Sequence, residues 1–492
     1  MNVSRRSFLG GFASFCGLEA FAATPGLFSA DRPLMSFGAI SDIHIRHPKS
    51  TIKNRTWIFE HALEWYRKQG VDAVVIAGDL ANKGLTEELE MVGAAWRKVF
   101  PENKGADGRK VEKVFITGNH DHDACDYGAE VRELYPDPKD FEAHKLANDY
   151  STHWLSAFDE PYAPIYMKEI GGYRFVGSHW DDGGIHQFGL RLKEFLGEHR
   201  DELKGERPFF YVQHPHPRGT VYGDLAVGSD DDGVVTQLLS EFPNAIAFSG
   251  HSHWTITDER AIWQGAFTSV NLGCLCQTGF CRTRNALAGY ENWRTPGWRK
   301  ATPEVRVLEE SKVMPNYPSA FKCYQGSLVK VYADRVVIGR HGFSSGIPVA
   351  DDWVIPLPTA TEKPFSYRTR SENAVPPEFP ADAEIKVELI GAKNRAKTEK
   401  PSVRLTFPAA NAVRGTRVYD YLIEILSAGG AKTVRSVLAQ GCELALSSDA
   451  AQGPSTCVLA RETLPKGTLT FRVYPCECFG KVGRPLVKVV EL

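Results

Sequence analysis

The sequence predicts an α/β domain followed by an all-β domain, and three observations predict it. From Leu34 to about Pro356, short apolar runs alternate with longer segments of helical spacing. Between Pro356 and Pro380, six prolines fall among charged and small residues, including the pair Pro376-Pro377. Beyond that break, only strand-like runs separated by turn residues remain. Alternating strands and helices are the pattern of layered α/β folds, and strand runs alone are that of a β-sandwich.

Each element follows from its residues. The runs Ser36 to Ile40, Ala73 to Ala77, Val114 to Thr117, Tyr173 to Gly177, Phe209 to Gln213 and Ala245 to Ser249 are short and bounded by polar residues. Several are rich in β-branched or aromatic side chains, so they read as buried strands. Trp57 to Lys68 carries Ile58, Ala62 and Trp65 at helical spacing, and Glu87 to Val99 carries Leu89, Val92 and Trp96. Arg191 to Leu203 is a third helix candidate. Together they define an α/β domain over residues 34–356. Residues 357–382 read as a linker by composition. After it, Glu384 to Ile390, Ser402 to Phe407, Arg417 to Leu426, Cys457 to Arg461, Thr468 to Tyr474 and Leu486 to Val490 read as strands. They predict a sandwich over residues 383–492, similar to fibronectin- or immunoglobulin-like modules and expected to act as a spacer or docking region. No internal repeat is visible. A length of 492 residues agrees with more than one domain, at roughly 150 residues each.

Composition narrows the class. At 42% hydrophobic and 24% charged residues, the chain can bury enough surface to offset its ordering entropy, which excludes disorder over most of its length. A net charge of −2 provides no basic field, so no nucleic-acid partner is expected. No run reaches the ~18 uninterrupted apolar residues of a membrane span. At the N-terminus, Ser4-Arg5-Arg6-Ser7-Phe8-Leu9 precedes a mildly apolar segment to Leu18, and Ala20-Phe21-Ala22 offers small residues at alternate positions. Residues 1–26 therefore resemble a twin-arginine export signal. That resemblance implies the twin-arginine machinery as a partner and a periplasmic or secreted, bacterial location. Cys274, Cys276 and Cys281 form C-x-C-x4-C, and Cys476 and Cys478 form C-x-C. Neither has the paired C-x2-C spacing of a structural zinc site, so these cysteines read as structural.

The chemistry lies in five motifs. Asp42-Ile43-His44 follows the first strand, Gly78-Asp79-Leu80-Ala81-Asn82 the second and Gly118-Asn119-His120-Asp121 the third. His214 closes the Phe209 strand, and Gly250-His251-Ser252-His253 closes the Ala245 strand. Each begins where an apolar run ends, on the carboxyl edge where α/β folds collect ligand-binding residues. Carboxylate, amide and imidazole donors together suit borderline divalent ions such as Mn, Fe, Zn or Co. Seven such donors are too many for one ion and about right for two sharing a carboxylate. Two ions about 3.5–4 Å apart can clamp a phosphoryl group and turn a shared water into hydroxide. The two aspartates leave part of the ions' charge uncompensated, a field that attracts a phosphate ester.

A lone Asp-x-His is common by chance, but five motifs in this order at strand ends are specific. With them, residues 34 to about 350 resemble the calcineurin-like metallophosphoesterase family. The resemblance implies a two-sheet sandwich flanked by helices. It also implies two divalent ions (Mn, Fe or Zn) and hydrolysis of a phosphodiester or phosphomonoester by a metal-bound hydroxide. Carried over residue by residue, Asp42, His44, Asp79 and His253 would hold one metal. Asp79 would bridge to a second, completed by Asn119, His214 and His251. His120 would donate toward the phosphoryl and leaving oxygens, with Asp121 or Asp123 to orient it. Relatives similar to purple acid phosphatases place a tyrosine ligand after the Gly-Asp motif. Asn82 stands there instead, which argues against an iron–tyrosinate centre.

Further residues at the same edge are candidate substrate contacts: Asn82, His179, Trp180, His216 and Trp254, with His122 ambiguous. Arg282 to Tyr324 is long, irregular and aromatic, and is expected to overhang the metals as a lid. The expected substrate is a small phosphorylated molecule. Two other readings stay open: an envelope or glycan-binding protein with a vestigial phosphoesterase domain, and a metal-dependent esterase.

Overall fold

A computed structural model of the chain describes residues 32–52, 54–122, 127–180, 184–227, 231–276, 306–307, 324–393, 399–412, 417–439 and 454–492. Its first strands are β1 (Met35–Ile40), β2 (Ala73–Ala77), β3 (Glu112–Ile116), β4 (Ile165–Ile170), β5 (Tyr173–Ser178), β6 (Phe209–Val212) and β7 (Ala245–Ser249). They continue with β8 (Ile262–Gln264), β9 (Thr268–Asn271), β10 (Arg306–Val307), β11 (Gln325–Val331), β12 (Arg335–Gly342) and β13 (Ile347–Pro356). One sheet has the order β13-β12-β11-β1-β2-β3 and the other β4-β5-β6-β7-β9-β8. The strands that carry the motifs are parallel: β1 to β2 to β3 in the first sheet, and β5 to β6 to β7 to β9 in the second. Their carboxyl ends therefore share one edge.

Side chains alternate between the faces of each strand, and this sorts the cores. Phe37, Val75 and Val114 from the first sheet meet Phe175, Phe210 and Phe248 from the second in one buried cluster. Phe37 sits at its centre, edge-on to Phe175 (5.1 Å), Phe210 (4.9 Å) and Phe248 (5.7 Å). The opposite face of the first sheet, with Val74, Ile76 and Phe115, packs against helices Thr56–Gln69, Thr86–Val99 and Tyr150–Phe158. The opposite face of the second, with Val176, Tyr211 and Ala247, packs against Leu192 and Leu196 of Gly184–Glu198 and against Val234–Leu239. The result is two mixed sheets face to face with helices outside.

The helix Thr56–Gln69 buries Ile58, Phe59, Ala62, Leu63 and Tyr66, and stops at Gly70, whose φ of 68° is left-handed. Trp65, expected on the buried face, is only half-buried and stacks on His341 at 4.1 Å. The helix expected from Arg191 begins earlier, at Gly184, and breaks at His199 before Arg200–Leu203.

The C-terminal region is all-β. It comprises β14 (Lys386–Lys393), β15 (Glu399–Phe407), β16 (Val418–Ser427), β17 (Lys432–Leu438), β18 (Ser455–Ala460), β19 (Thr468–Glu477) and β20 (Leu486–Glu491). Two sheets, β14-β15-β18 and β10-β17-β16-β19-β20, enclose Val403, Leu405, Ile423, Phe471 and Val473. The proline-rich stretch is docked rather than loose. Phe365 exchanges hydrogen bonds with Gln264 (3.0 and 3.1 Å), and Ser366 caps a helix, Tyr367–Asn373, whose Tyr367 is buried. Pro33–Leu492 forms one compact unit. No helix among the described residues is long and apolar enough to cross a membrane.

Phe37→Ala removes the ring on which three others close and should cost about 3–5 kcal/mol of folding stability. Chemical denaturation of the full chain measures it, and a loss below about 1 kcal/mol would show that Phe37 is not central to the inter-sheet core.

Candidate metal centre

Three of the five motifs turn sharply off their strands through left-handed residues. Asp42, His44, Asp79, His251 and His253 have φ of 54°, 45°, 54°, 64° and 52°. A left-handed conformation costs a non-glycine residue roughly 1–2 kcal/mol, so five at one edge require a frame that holds them. Backbone bonds supply part of it: Asp42 N–H donates to the Gly78 carbonyl (3.1 Å) and His44 N–H to that of Asp79 (2.9 Å). Close approach supplies the rest. A Cβ on Gly118 would overlap an Asp79 carboxylate oxygen, and one on Gly250 would overlap the Ser41 hydroxyl and crowd Asp42.

The seven expected ligands come together in two groups that share Asp79. In the first, donor atoms of Asp42, His44, Asp79 and His253 all lie within 4.8 Å of one another, and all four residues are buried. His253 Nε2 is 3.2 Å from Asp42 Oδ1 and 3.2 Å from His44 Nε2. In the second, His214 Nε2 lies 3.2 Å from Asp79 Oδ2, 3.1 Å from Asn119 Oδ1 and 3.3 Å from His251 Nδ1. Asn119 Oδ1 is 3.0 Å from His251 Nδ1. Asp79 Oδ2 also lies 3.4 Å from His44 Nε2, so one oxygen faces both groups. Nitrogen and oxygen donors converging at such distances fit a divalent cation in each group.

The electrostatics point the same way. Burial alone would raise Asp79, but His214 and His44 beside it hold its carboxyl well below the usual range. Burial alone would lower His214, yet Asp79 and Asp42 push it up to about 9. His253 is likewise raised against its burial, by Cys274 and Asp42. Burial wins at His44, which falls to about 3. Protons on His214 and His253 thus balance the two aspartates where cations would. His214 Nδ1–H donates to the Ala77 carbonyl (2.7 Å), which turns Nε2 toward the cluster.

His120 sits over the first group, its ring 4.5 Å from that of His44. Its amide donates to Asp79 Oδ1 (2.9 Å), and its Nδ1 is 3.0 Å from the Asn82 carbonyl. That acceptor assigns the proton to Nδ1 and leaves Nε2 available. The orienting group is therefore a backbone carbonyl. Asp121 accepts instead from the amides of Leu80 (3.2 Å), Ala81 (2.7 Å) and Gly118 (2.7 Å), bracing the two motif loops. Burial and then Asp79 push its carboxyl up to about 7. Asp123 lies outside the described residues.

The other candidates divide. Trp180 is half-buried, 6.3 Å from the His214 ring and 6.4 Å from that of His251 with the planes nearly parallel. His179 faces inward: the Thr117 amide donates to its Nδ1 (3.1 Å), and Trp154 and Tyr162 pack on its ring. His216 is buried between the hydroxyls of Ser249 (2.7 Å) and Ser252 (2.6 Å). Trp254 is fully buried and donates to Asp258 (3.0 Å). These three are packing residues, not substrate contacts. His122 stacks on Tyr150 at 4.1 Å. Apart from Arg306, Val307 and Tyr324, the expected lid lies outside the described residues. Glu88 escaped sequence reading: it accepts from the amides of His47 (3.1 Å), Lys83 (2.7 Å) and Leu85 (3.3 Å), tying the first two motif loops to helix Thr86–Val99. Its position three residues after Leu85 is the capping-box offset, the one signal that could have found it.

Residues 35–255 match the family model described as calcineurin-like phosphoesterase, a stretch that takes in all five motifs. Over that stretch, the chain is similar to calcineurin-like phosphoesterases. Among solved structures, it is similar to a dimetal phosphatase from Danio rerio (11% identity, TM-score 0.36, over 66% of this chain and 99% of that one). It is also similar to the purple acid phosphatase PPD1 from yellow lupin (15%, 0.39, 66% and 55%), and to GAP50, the anchor in the inner membrane complex of Plasmodium (10%, 0.35, 66% and 88%). No curated protein matches the chain.

Two outcomes follow. Because cations must displace the protons held on His214 and its neighbours, manganese affinity should rise with pH and level off above about 9, with protons released on binding. Calorimetric titration in buffers of different ionisation enthalpy measures both, and a pH-independent affinity would contradict the assignment. Gly118→Ala should displace the Asp79 carboxylate and weaken manganese binding by about 10–100-fold, read by equilibrium dialysis.

Proposed function

We propose that the chain is an exported calcineurin-like phosphoesterase that hydrolyses a small phosphomonoester or phosphodiester with two divalent ions, Mn, Fe or Zn. The observation that carries this reading is the pair of donor groups joined at Asp79 Oδ2. Two ions held there would supply Lewis acidity to the phosphoryl oxygens and lower the pKa of a water. Asp42, His44, Asp79 and His253 would hold one, and Asp79, Asn119, His214 and His251 the other.

The chain's own residues supply the proton handling. With Nδ1–H committed to the Asn82 carbonyl, His120 exchanges protons through Nε2. Neutral, it offers a lone pair there, so protonating a leaving oxygen requires the imidazolium. Trp180, beside His214 and His251, is placed to offer a ring face to the substrate's leaving group. The arginine pair Arg5-Arg6 supports export by the twin-arginine route to the periplasm or beyond, and the two-sheet C-terminal region supports a fibronectin- or immunoglobulin-like identity. Replacing Arg5 and Arg6 with lysine should trap the protein in the cytoplasm, and fractionation reads this directly.

Hydrolysis of matched chromogenic phosphomonoesters and phosphodiesters, with manganese and with chelator, tests the reading. Metal-dependent turnover is expected, and the ratio of the two rates names the substrate class. Protein that binds no metal and hydrolyses neither would favour the envelope-binding alternative. His120→Asn should keep its metals and lose about 10²–10⁴-fold in kcat; an unchanged rate would remove His120 from the proton transfer.

A further inference from the structure

The segment that leaves the last metal-ligand motif passes beneath the C-terminal domain. From His253 it runs through Trp254, Asp258, Glu259 and Arg260, all buried. Trp254 Nε1 donates to Asp258 Oδ2 (3.0 Å), and Arg260 Nε and Nη2 donate to Oδ1 (3.0 Å) and Oδ2 (2.8 Å) of the same carboxylate. Arg260 Nη1 has no hydrogen-bond acceptor among the described residues. Its guanidinium carbon lies instead 3.5 Å from the ring centre of Tyr222 and 4.3 Å from that of Tyr419. Tyr419 is buried on β16 of the C-terminal sandwich, and Tyr222 packs edge-on against Trp254 at 5.2 Å. Glu259 binds Arg340 (3.0 Å) and Arg370 (3.3 Å), with Arg417 at 4.0 Å.

This clamp sits where the backbone needs one. His251 and His253 both have positive φ, and left-handed non-glycine residues persist only where their surroundings over-determine them. Within the α/β domain, Asn271 donates to the Trp254 carbonyl (2.7 Å), and the Ile256 amide donates to Gln325 (2.9 Å). The far end of the segment is held by the Arg260 side chain, and a buried guanidinium with one nitrogen unpaired needs the aromatic faces on either side of it. One of those faces comes from the C-terminal domain.

We infer that the C-terminal β domain is part of the metal-site scaffold, with Tyr419 a positioning residue for His253 that acts through Arg260, Asp258 and Trp254. The inference rests on the metal-site reading above and replaces the spacer role expected for this region. The test uses the full-length protein, titrated with cobalt(II), whose visible spectrum reports the ligand set. Tyr419→Leu should weaken cobalt binding about tenfold and alter the spectrum, while Tyr419→Phe, which keeps the ring over Arg260, should restore both. Leu405→Ala, a cavity in the core of the same sandwich, controls for lost stability and should leave affinity and spectrum unchanged. Wild-type cobalt affinity and spectrum in Tyr419→Leu, or equal weakening by Leu405→Ala, would overturn the inference. Failure of the wild-type protein to bind cobalt would instead overturn the metal site itself.

Discussion

The site depends on how the charge of one carboxylate is balanced. Asp79 ends β2 with 1% of its surface exposed. Its Oδ1 accepts the His120 amide, and its Oδ2 faces imidazoles from both sheets, His44 after β1 and His214 after β6. A buried carboxylate without compensation carries a desolvation penalty of several kcal/mol, so these imidazoles and the charge they share are a condition of the fold at this edge. The same carboxylate staples the two sheets where no β-ladder can. Its neighbours follow from that demand: a glycine at 118 because no side chain fits beside it, and left-handed turns because the ligands must leave their strands almost at once.

The central strands were legible in the sequence because they are parallel and covered on both faces, which leaves near-continuous apolar runs. The motifs stood out because each run stops abruptly in Asp, Asn, Gly or His. Strands that carry charged residues were harder to see. The meander β11 to β13 and the strand β17 carry lysine or arginine among their apolar residues (Lys330, Arg335, Arg340, Lys432, Arg435), some at the surface and one, Arg340, buried in an ion pair with Glu259, and their short alternation does not stand out from a loop.

Within the site, residue type was legible but direction was not. His214 and His216 lie two positions apart on one loop; the first faces the cluster, and the second is buried between the hydroxyls of Ser249 and Ser252. His179 and Trp180 are adjacent, and only the tryptophan stands beside the cluster. After a strand ends, the turn decides which side chain points in, and these turns are set by tertiary contacts. The group that orients His120 is a backbone carbonyl, which no residue identity at position 82 announces.

The junction between the two domains is charged and buried at once, and this combination constrains how they can behave. Interfaces between domains of one chain are commonly polar, modest in area and free to part. Here Glu259 meets Arg340 of the α/β domain, Arg370 of the intervening helix and Arg417 of the sandwich, and Arg260 lies between Tyr222 and Tyr419. Opening the junction would leave Glu259 with Arg340 and Arg260 with Asp258 but would expose both to water and strip them of Arg417 and Tyr419, and desolvated charges that lose partners are costly. Such a contact resists hinging and favours one fixed geometry. Because Trp254 and His253 precede Glu259 and Arg260 by only a few residues on the same segment, that geometry reaches the metal edge through a short stretch of backbone. The proline-rich segment adds Tyr367, buried in one cluster with Trp254 and Tyr419, so the α/β domain, the intervening helix and the sandwich meet at the same junction.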